Sequence, residues 1–277
     1  YDIPLWLGES GENSNKWFTD CIRLVEKNHI GWSWWPLKKV SSVVNPFTII
    51  APSGYDQLLN YWKYGESKPS KDFAAKVLFE LTNNLKAENC SFNKGIIDAM
   101  FRQRFETSTL PYTKNFIPGR IYGVDYDLGY YNRAYFDTDN ENIMVNGKRS
   151  VGNRGNQYRN DGVDIIRCND KNEYTNGYHL FAIEKGEWLK YTVDVKEKGD
   201  YQIFARIKPT SHPVKFNFIF GKKKKKKKIE FSHSDTNPND WQTIYCGNIN
   251  LKKGKQNLFI SFESNGFEFN FLEFIKK

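Results

Sequence analysis

The spacing of apolar residues along the chain changes near residue 115. Before that point, short apolar runs at residues 3–8 and 30–35 flank a segment whose apolar residues, from Trp17 to Val25, recur at helical spacing. A strand, a helix and a second strand in this order predict a parallel α/β unit. Further helices are predicted over residues 55–62, 71–84 and 96–104, and the segment 36–54, rich in Pro and Ser, is predicted as a loop.

After residue 115, short runs of alternating apolar and polar residues are separated by Gly, Asn and Asp turns. Such runs predict strands with one buried face at residues 191–195, 201–207, 214–220, 257–262 and 267–272. Several strands at this spacing predict an antiparallel β-sandwich of the jelly-roll type. The predicted division is therefore an α/β domain over residues 1–106, a linker over 107–117 and the sandwich over 118–277.

Length and composition fit a folded protein of two domains, because 39% of the 277 residues are hydrophobic and 26% are charged. No run of about 18 apolar residues occurs, so no membrane span is predicted. The sequence starts at Tyr1 inside a strand-like run. We therefore expect it to be a piece of a longer chain.

The formal net charge of +9 is concentrated in one place, because residues 222–228 are consecutive lysines. Without them the net charge would be +2, which argues against the broad basic surface that nucleic-acid binding requires. We interpret the lysine run as a solvent-exposed, low-complexity insertion in a hairpin loop. The alternative is an electrostatic tether for polyanions.

The spacing of cysteine and histidine residues indicates no metal site. The four cysteines include no Cys-x-x-Cys pair, and the four histidines are far apart. We expect most cysteines to be small buried side chains, with one disulfide left open. The histidines are expected on the surface or in loops.

A candidate catalytic carboxylate follows the first predicted strand. In the sequence Leu-Gly-Glu-Ser-Gly-Glu at residues 7–12, Glu9 lies where the loops after parallel strands form the active-site face of a β/α barrel. The alternative is that Glu9 caps the following helix, a role for which Glu12 is better placed.

Three tryptophans belong to the second predicted strand. Because side chains alternate along a strand, Trp32 and Trp34 share one face and Trp35 takes the other. An aromatic face is complementary to the C–H groups of a sugar ring, so a tryptophan at a strand end suits the floor of a sugar site. The alternative is core packing.

Residues 3–39, with Leu-Gly-Glu-Ser-Gly-Glu-Asn and Ile-Gly-Trp-Ser-Trp-Trp-Pro, resemble the last two strands of a glycoside hydrolase family 5 barrel, and the resemblance extends to about residue 106. It implies a secreted, retaining β-glycanase that acts on glucans or mannans, with Glu9 as the nucleophile and Trp35, beside Trp32, in the substrate site. The reaction needs no cofactor.

The implied mechanism needs a second carboxyl group about 5 Å from the nucleophile. In the family this acid follows an asparagine on strand four, whereas residues 1–106 correspond only to strands seven and eight of a barrel that takes roughly 250 residues. Glu12, on the same turn as Glu9, would not face it across a sugar. We therefore expect the fragment alone to be inactive.

Residues 118–277 resemble a family 6 carbohydrate-binding module. The resemblance is carried by Pro-Gly-Arg-Ile at 118–121, Tyr-Arg-Asn-Asp-Gly-Val-Asp at 158–164, Gly-Glu-Trp-Leu-Lys-Tyr at 186–191, Trp241 and Gly-Phe-Glu-Phe-Asn-Phe-Leu at 266–272. It implies a sandwich that holds a sugar between two loop aromatics, near an asparagine. One aromatic position is Trp241, the second is Ala182, and the asparagine position is Glu268.

Family members often carry a structural calcium ion. Its acidic ligand positions are occupied here by Tyr122, Val124 and Asn270, and these uncharged residues weigh against calcium without excluding it. Tyr158 is expected to border the binding loop, whereas Trp188 is expected in the core.

Two functions follow, and both name a polysaccharide of the β-glucan, xylan or mannan type as the partner. The first is a monomeric, secreted fragment of a retaining glycanase with an appended glycan-binding module. The alternative is attachment to the glycan by the module alone, without catalysis. Polyanion adhesion through residues 222–228 ranks last, and neither nucleic acid nor a membrane is expected as a partner.

Overall fold

Two parts follow one another along the chain, an α/β part and a β-sandwich. The computed structural model describes residues 3–138, 144–145, 148–149, 154–155, 157–171, 175–210, 213–221, 227–233 and 239–277. The helices of the first part are α1 (Asn15–Lys27), α2 (Tyr55–Tyr64), α3 (Lys71–Asn84) and α4 (Lys94–Ile97), which continues as a π-helical turn at Asp98–Arg102. Its strands are β1 (Trp6–Leu7), β2 (Gly31–Trp32), β3 (Lys38–Val40), β4 (Phe47–Ile49) and β5 (Ser91–Phe92).

The predicted strand–helix–strand unit is present at the start of the α/β part. Strands β1 and β2 pair in parallel, with Leu7 opposite Trp32, and the Ser14 hydroxyl caps α1 by accepting a hydrogen bond from the Trp17 N–H. Both strands have only two residues, shorter than predicted, because no further described strand joins this sheet. The described residues therefore contain one parallel strand–helix–strand unit at this point and not a closed barrel.

The other predicted helices are confirmed, and α3 begins and ends at the predicted residues. The prediction of a loop over residues 36–54 is wrong, because β3 and β4 pair in parallel there and β4 also pairs with β5. The sequence does not reveal this small sheet, since β5 is distant along the chain. None of the described helices combines the length and the apolar character needed to cross a membrane.

The second part is the predicted β-sandwich. Its strands are β6 (Asn115–Ile117), β7 (Gly119–Tyr122), β8 (Tyr135–Phe136), β9 (Met144–Val145), β10 (Lys148–Arg149), β11 (Ile165–Arg167), β12 (Tyr178–Leu180), β13 (Trp188–Val195), β14 (Gly199–Pro209), β15 (Val214–Phe220), β16 (Lys227–His233), β17 (Gln242–Leu251), β18 (Gly254–Phe262) and β19 (Phe267–Lys276). The first sheet has the order β11-β12-β19-β14-β17, with β7 also paired to β19. The second has the order β16-β15-β18-β13-β6, with β8 also paired to β13.

Part of the segment 107–117, predicted as a linker, is attached to the sandwich. Strand β6 lies within it and pairs in parallel with β13, and Leu110 forms an isolated bridge with Leu128. Regular structure of the sandwich therefore starts at Asn115.

Alternation along the long strands places one side of each strand in the core. On β13, Leu189, Tyr191, Val193 and Val195 are buried, while the residues between them are half-buried. The core between the two sheets is built from such apolar side chains. Polar side chains of β12, β14 and β19 are left to the outer face of the first sheet, where the candidate site lies.

Buried polar side chains join the two parts of the chain. The Asn15 Nδ2 donates to Asp161 Oδ1 at 2.9 Å, and the Asn160 Nδ2 donates to the Asn13 carbonyl at 2.7 Å. Arg159 forms an ion pair with Asp161 at 2.7 Å, and both side chains are almost fully buried. The start of α1 is thereby fixed to the sandwich.

Candidate functional site

One end of the first sheet brings Trp241 next to a row of charged side chains. Trp241 directly precedes β17, whose first residue, Gln242, pairs with Ile207 on β14. The next residue of β14, Lys208, lies opposite Glu268 on β19. His179 belongs to β12, the next strand of the sheet. Because alternate residues of these strands fill the core, the polar residues between them point to the outer face.

The Trp241 side chain lies across the strands that separate it from β12. Its indole Nε1 donates to Asn169 Oδ1 at 2.8 Å, and its ring meets the His179 ring edge-on, with the centroids 5.0 Å apart. A half-exposed indole fixed at both ends presents a rigid aromatic surface. We call Trp241, Asn169, His179, Lys208 and Glu268 together the Trp241 surface.

A charged network underlies this aromatic ring. The Lys208 Nζ donates to both carboxylate oxygens of Glu268 at 3.0 and 3.1 Å, and the His179 Nε2 lies 2.9 Å from Glu268 Oε2. Burial alone would raise the pKa of Glu268, but its interactions with His179 and Lys208 outweigh burial and lower it. Glu268 is thus a carboxylate positioned to accept hydrogen bonds from hydroxyl groups.

The expectation that every histidine lies on the surface or in a loop is wrong for His179, which is 1% exposed. The Trp241 ring covers it, and the sequence gives no sign of a contact between residues so far apart. Burial would lower the pKa of His179, but its interactions with Cys168 and Glu268 outweigh burial and raise it.

The residues at the calcium positions implied by the resemblance do not fit a calcium ion. Val124 is fully buried in the apolar core, and Tyr122 is a phenol packed edge-on against Phe271. Asn270 is fully buried and its Nδ2 donates to Asp170 Oδ2 at 3.2 Å. The three side chains therefore offer no carboxylate to a hard cation, and we assign none of them as a calcium ligand. Among the described residues, no group of three or more His, Cys, Asp or Glu side chains is arranged to hold a metal.

Tyr158 lies at the junction of the two parts and not at the Trp241 surface. Its hydroxyl donates to Asp125, and its ring packs on Tyr178, with the centroids 4.7 Å apart. Tyr178 directly precedes His179 on β12, so the two side chains point to opposite faces of the sheet. The structure therefore separates Tyr158 from Trp241.

The two other aromatic positions also differ from a sugar clamp. Trp188, expected in the core, lies on the outer face of β13, half-buried, 5.9 Å from the Phe259 ring; the core expectation is wrong because alternation gives that side to Leu189. Ala182 follows β12 in a left-handed backbone conformation with φ of 50°. It supplies only a methyl group at the position where the resemblance implies a second aromatic ring.

Glu9 is exposed at the carboxyl end of β1. The helix-cap alternative does not apply, since Ser14 caps α1 and Glu12 forms an ion pair with Lys39. Within the residues that the structure describes, the Glu9 carboxylate has neither a hydrogen bond nor an ion pair. It is therefore free to meet a ligand.

Trp35 shares this edge with Glu9, and Trp32 does not. The Trp35 N–H donates to the Ser10 carbonyl at 2.7 Å, which ties the two strand ends together, and the Trp35 side chain is 54% exposed. Trp32 packs on the other side with the apolar cluster around α1, and its Nε1 donates to Glu26 at 3.1 Å. The predicted alternation of the tryptophans is confirmed, and it leaves only Trp35 beside Glu9.

The remaining candidate residues have other surroundings. Most of the lysine run, residues 222–226, lies outside the described residues, and Lys228 forms an exposed ion pair with Glu230 at 2.7 Å.

All four cysteines are free, and only Cys246 is buried. The expectation that most cysteines are buried is therefore wrong, because the other three are only half-buried.

A known protein family matches most of the sandwich. Residues 156–276 match the model of the family described as carbohydrate binding module (family 6). No curated protein matches the chain.

Several solved structures are similar to part of this chain at low sequence identity. A glycoside hydrolase family 43 arabinoxylan arabinofuranohydrolase from Bacillus subtilis, in complex with cellotetraose, is 14% identical with a TM-score of 0.41, over 60% of this chain and 28% of that one. A β-1,3-glucan-binding family 6 module from Bacillus halodurans is 16% identical with a TM-score of 0.40, over 58% and 98%. The module of Cellvibrio mixtus lichenase 5A, in complex with cellotriose, is 21% identical with a TM-score of 0.34, over 42% and 88%.

This chain thus spans less than a third of the arabinofuranohydrolase. The family match, in contrast, covers every strand from β11 to β19. The part of the chain that matches the family described as carbohydrate binding module (family 6) is therefore residues 156–276.

Proposed function

We propose that the sandwich binds a polysaccharide of the β-glucan, xylan or mannan type through the Trp241 surface. The observation that carries the proposal is the position of Trp241, whose ring is fixed between Asn169 and His179 at the edge of a carbohydrate-binding domain. A sugar ring that stacks on the indole buries C–H groups against an aromatic face.

The charged row supplies the polar half of such a site. Glu268 accepts hydrogen bonds from sugar hydroxyls, and Lys208, which holds Glu268 in place, donates them. Because Ala182 provides no second aromatic ring, affinity rests on one stacking contact together with these hydrogen bonds. We therefore expect weak binding to each sugar and useful retention only on a polymer.

Retention on insoluble cellulose, xylan and mannan tests this function. Trp241→Ala is expected to reduce retention by about tenfold or more, since it removes the stacking surface. Trp188→Ala is the matched control, because Trp188 is a half-buried tryptophan on the outer face of the other sheet. Retention that survives Trp241→Ala would place the glycan elsewhere.

Salt distinguishes sugar stacking from polyanion adhesion by the lysine run. Binding of a polyanion to residues 222–228 should weaken steeply between about 50 and 200 mM salt, whereas stacking on an indole should hardly change. A steep salt dependence would favour the lysine run.

A second function is favoured by the edge that Glu9 and Trp35 share. We propose that residues 1–106 are the C-terminal portion of a secreted, retaining glycoside hydrolase barrel, with Glu9 as nucleophile and Trp35 as sugar platform. Its support is the parallel β1–α1–β2 unit with an unpaired, exposed carboxylate at the strand end. The acid that completes the reaction would come from strand four of the barrel. Residues 1–277 expressed alone should not hydrolyse β-glucan or mannan, and hydrolysis that depends on Glu9 would show that the acid lies within this chain.

A further inference from the structure

An open groove runs along the last helical segment of the α/β part, where this segment faces the sandwich. Its volume is about 460 Å³, and its walls include Ile97, Phe101 and Phe105 from the helical segment and Leu128 from the sandwich. A volume in this range suits a small organic molecule. The groove is built from other residues than the Trp241 surface and therefore constitutes a separate feature of the molecule.

One wall of the groove is apolar and largely exposed. Ile97, Phe101 and Phe105 follow one another at a spacing of four residues, which places them on the same side of the helical segment. The Phe101 side chain is 49% exposed and the Phe105 side chain is 73% exposed. Two exposed aromatic rings beside a groove of this size offer apolar surface to a ligand.

Both aromatic rings are held by neighbouring side chains. The Arg104 guanidinium lies over the Phe105 ring, 4.3 Å from its centroid, and the Phe101 ring packs against the Trp32 ring, with the centroids 6.3 Å apart. Each ring is thus covered on one side and exposed on another. The wall therefore needs little rearrangement to receive a ligand.

The backbone beside this wall forms a π-helical turn at Asp98–Arg102. The Gln103 N–H donates to the Asp98 carbonyl at 2.9 Å, which is the longer spacing that defines such a turn. Turns of this kind are rare, and they occur frequently at functional sites. The turn is an indication of function that is independent of the exposed rings.

Lys94 supplies the groove with a positive charge that no acid compensates. Arg102, the other cation of the lining, donates to Asp98 Oδ2 at 2.7 Å and lies 3.8 Å from Glu106. Lys94 forms no ion pair with any residue that the structure describes. Its Nζ lies 3.8 Å from the centroid of the Tyr112 ring and donates to the Tyr112 carbonyl. Because an ammonium group has three donors, N–H groups remain for a ligand.

The surroundings of Lys94 favour an anion. Burial lowers the pKa of Lys94, and the charge of Arg159 lowers it further, whereas the charge of Asp125 acts in the opposite direction. The folded chain therefore holds this ammonium group at a cost. An anionic ligand beside the ammonium would offset that cost.

We propose that the groove binds an aromatic carboxylate, with the ligand ring against Phe101 and Phe105 and the ligand carboxylate on the Lys94 ammonium. Aromatic rings pack favourably against each other in offset or edge-to-face geometry, and an ammonium donates a charge-assisted hydrogen bond to a carboxylate. The binding is non-covalent. It depends neither on glycan binding at the Trp241 surface nor on catalysis by Glu9.

Isothermal titration calorimetry of residues 1–277 tests this site, with cinnamate as the probe and cinnamyl alcohol as its uncharged counterpart. At low salt, cinnamate should bind about tenfold or more tightly than the alcohol, because only the carboxylate pairs with Lys94. This comparison needs no variant. Equal affinity for the two compounds would overturn the role of the ammonium group, and the absence of cinnamate binding at millimolar concentration would overturn the site.

Lys94→Met keeps an apolar side chain of similar length and removes the charge. The affinity of this variant for cinnamate should fall to that for cinnamyl alcohol, whereas its affinity for the alcohol should not change. Lys86→Met is the matched control, since Lys86 is an exposed lysine outside the groove. An unchanged preference for cinnamate in Lys94→Met would assign the anion to another cation and contradict the proposal.

Phe105→Ala tests the apolar wall and, because Phe105 is so exposed, leaves the fold intact. It should weaken the binding of both compounds by a similar factor. Phe79→Ala is the matched control, since Phe79 is 75% exposed on α3 and does not line the groove. Equal binding by Phe105→Ala and Phe79→Ala would place the ligand elsewhere. A dimer in sedimentation experiments that Phe105→Ala dissociates would assign the groove to a second copy of this chain and overturn the small-molecule site.

Discussion

Asn15 and Asn160 hold each other by two hydrogen bonds across the junction between the α/β part and the sandwich. The Asn15 N–H donates to the Asn160 carbonyl at 3.0 Å, and the Asn160 Nδ2 donates to Asn15 Oδ1 at 3.2 Å. Both side chains are 2% exposed. The two parts are therefore joined by specific buried contacts, and each part contributes polar groups that the other must satisfy.

Asn160→Ala should destabilise the protein because it leaves buried acceptors at Asn13 and Asn15 without their donor. We expect a loss of about 1–3 kcal/mol in the free energy of unfolding, measured by urea denaturation. Asn250→Ala is the control, since Asn250 donates to Asp200 at an exposed position. Equal stability of the two variants would contradict a structural role for the junction.

Glu268→Gln should remove a dependence of stability on pH. The folded state raises the pKa of His179, so the stability contributed by the protonated imidazole is complete below about pH 6.5 and is lost as pH rises through the folded-state pKa. The folded state lowers the pKa of Glu268, so the stability contributed by the ionised carboxylate is present above about pH 4.3 and is lost as pH falls through the folded-state pKa.

The loss of stability in Glu268→Gln should therefore be largest between about pH 5 and 6.5 and amount to about 1–2 kcal/mol. Thermal unfolding across this range measures it. Glu230→Gln removes an exposed ion pair with Lys228 and should leave the pH profile as it is. A Glu268→Gln profile parallel to that of the native protein would mean that His179 does not titrate with this carboxylate.

Asp137→Asn should stabilise the protein in alkaline solution. Burial, reinforced by the negative charges of Glu187 and Asp164, raises the pKa of Asp137 well above its usual range. The folded state thus holds a proton that the unfolded chain releases near pH 4, and stability falls as pH rises from there through the folded value.

Urea denaturation from pH 5 to 9 should show Asp137→Asn gaining on the native protein by up to about 1.4 kcal/mol for each pH unit while Asp137 remains protonated. Asp194→Asn serves as the control, since Asp194 forms a surface ion pair with Lys196. A gain that does not grow with pH would show that Asp137 is ionised in the folded state.

Glu9→Gln, made in an enzyme in which residues 1–106 complete the barrel, should lower hydrolysis by several orders of magnitude and leave substrate binding largely intact. Release of reducing sugar measures turnover, and retention on the insoluble polymer measures binding. Glu12→Gln is the matched control, because Glu12 belongs to the same turn but pairs with Lys39. Normal turnover in Glu9→Gln would remove this residue from the role of nucleophile.

The sequence predicts the regular elements well where local pattern decides them. The helix over residues 71–84 and the strands around Tyr191 and Tyr201 are found where the apolar periodicity predicts them, because each element buries apolar side chains on one face. The sequence also indicates Trp241 as a candidate binding residue. It does not indicate the contact of Trp241 with His179, since that contact depends on the order of β12, β19, β14 and β17, which no local pattern specifies.

Tyr158 shows the opposite case. Its place in a recognisable motif suggested a binding loop, but the motif packs against the start of α1, and the hydroxyl of Tyr158 is committed to Asp125. Whether an aromatic side chain in such a motif faces solvent or a neighbouring part of the chain depends on tertiary structure and not on the local sequence. The small sheet of β3, β4 and β5 was missed for a similar reason, since two of its strands come from one loop and the third from far along the chain.

At the position where the family resemblance implies a ring opposite Trp241, Ala182 offers only a methyl group, so that residue provides no second wall of a sugar slot. A clamp of two aromatic rings binds a sugar most easily at the free end of a polysaccharide chain. A single aromatic platform, open on one side, can instead bind an internal segment of a long polysaccharide. On a polysaccharide fibre with few chain ends, the number of binding positions would then scale with the length of the polysaccharide chains and not with the number of chain ends.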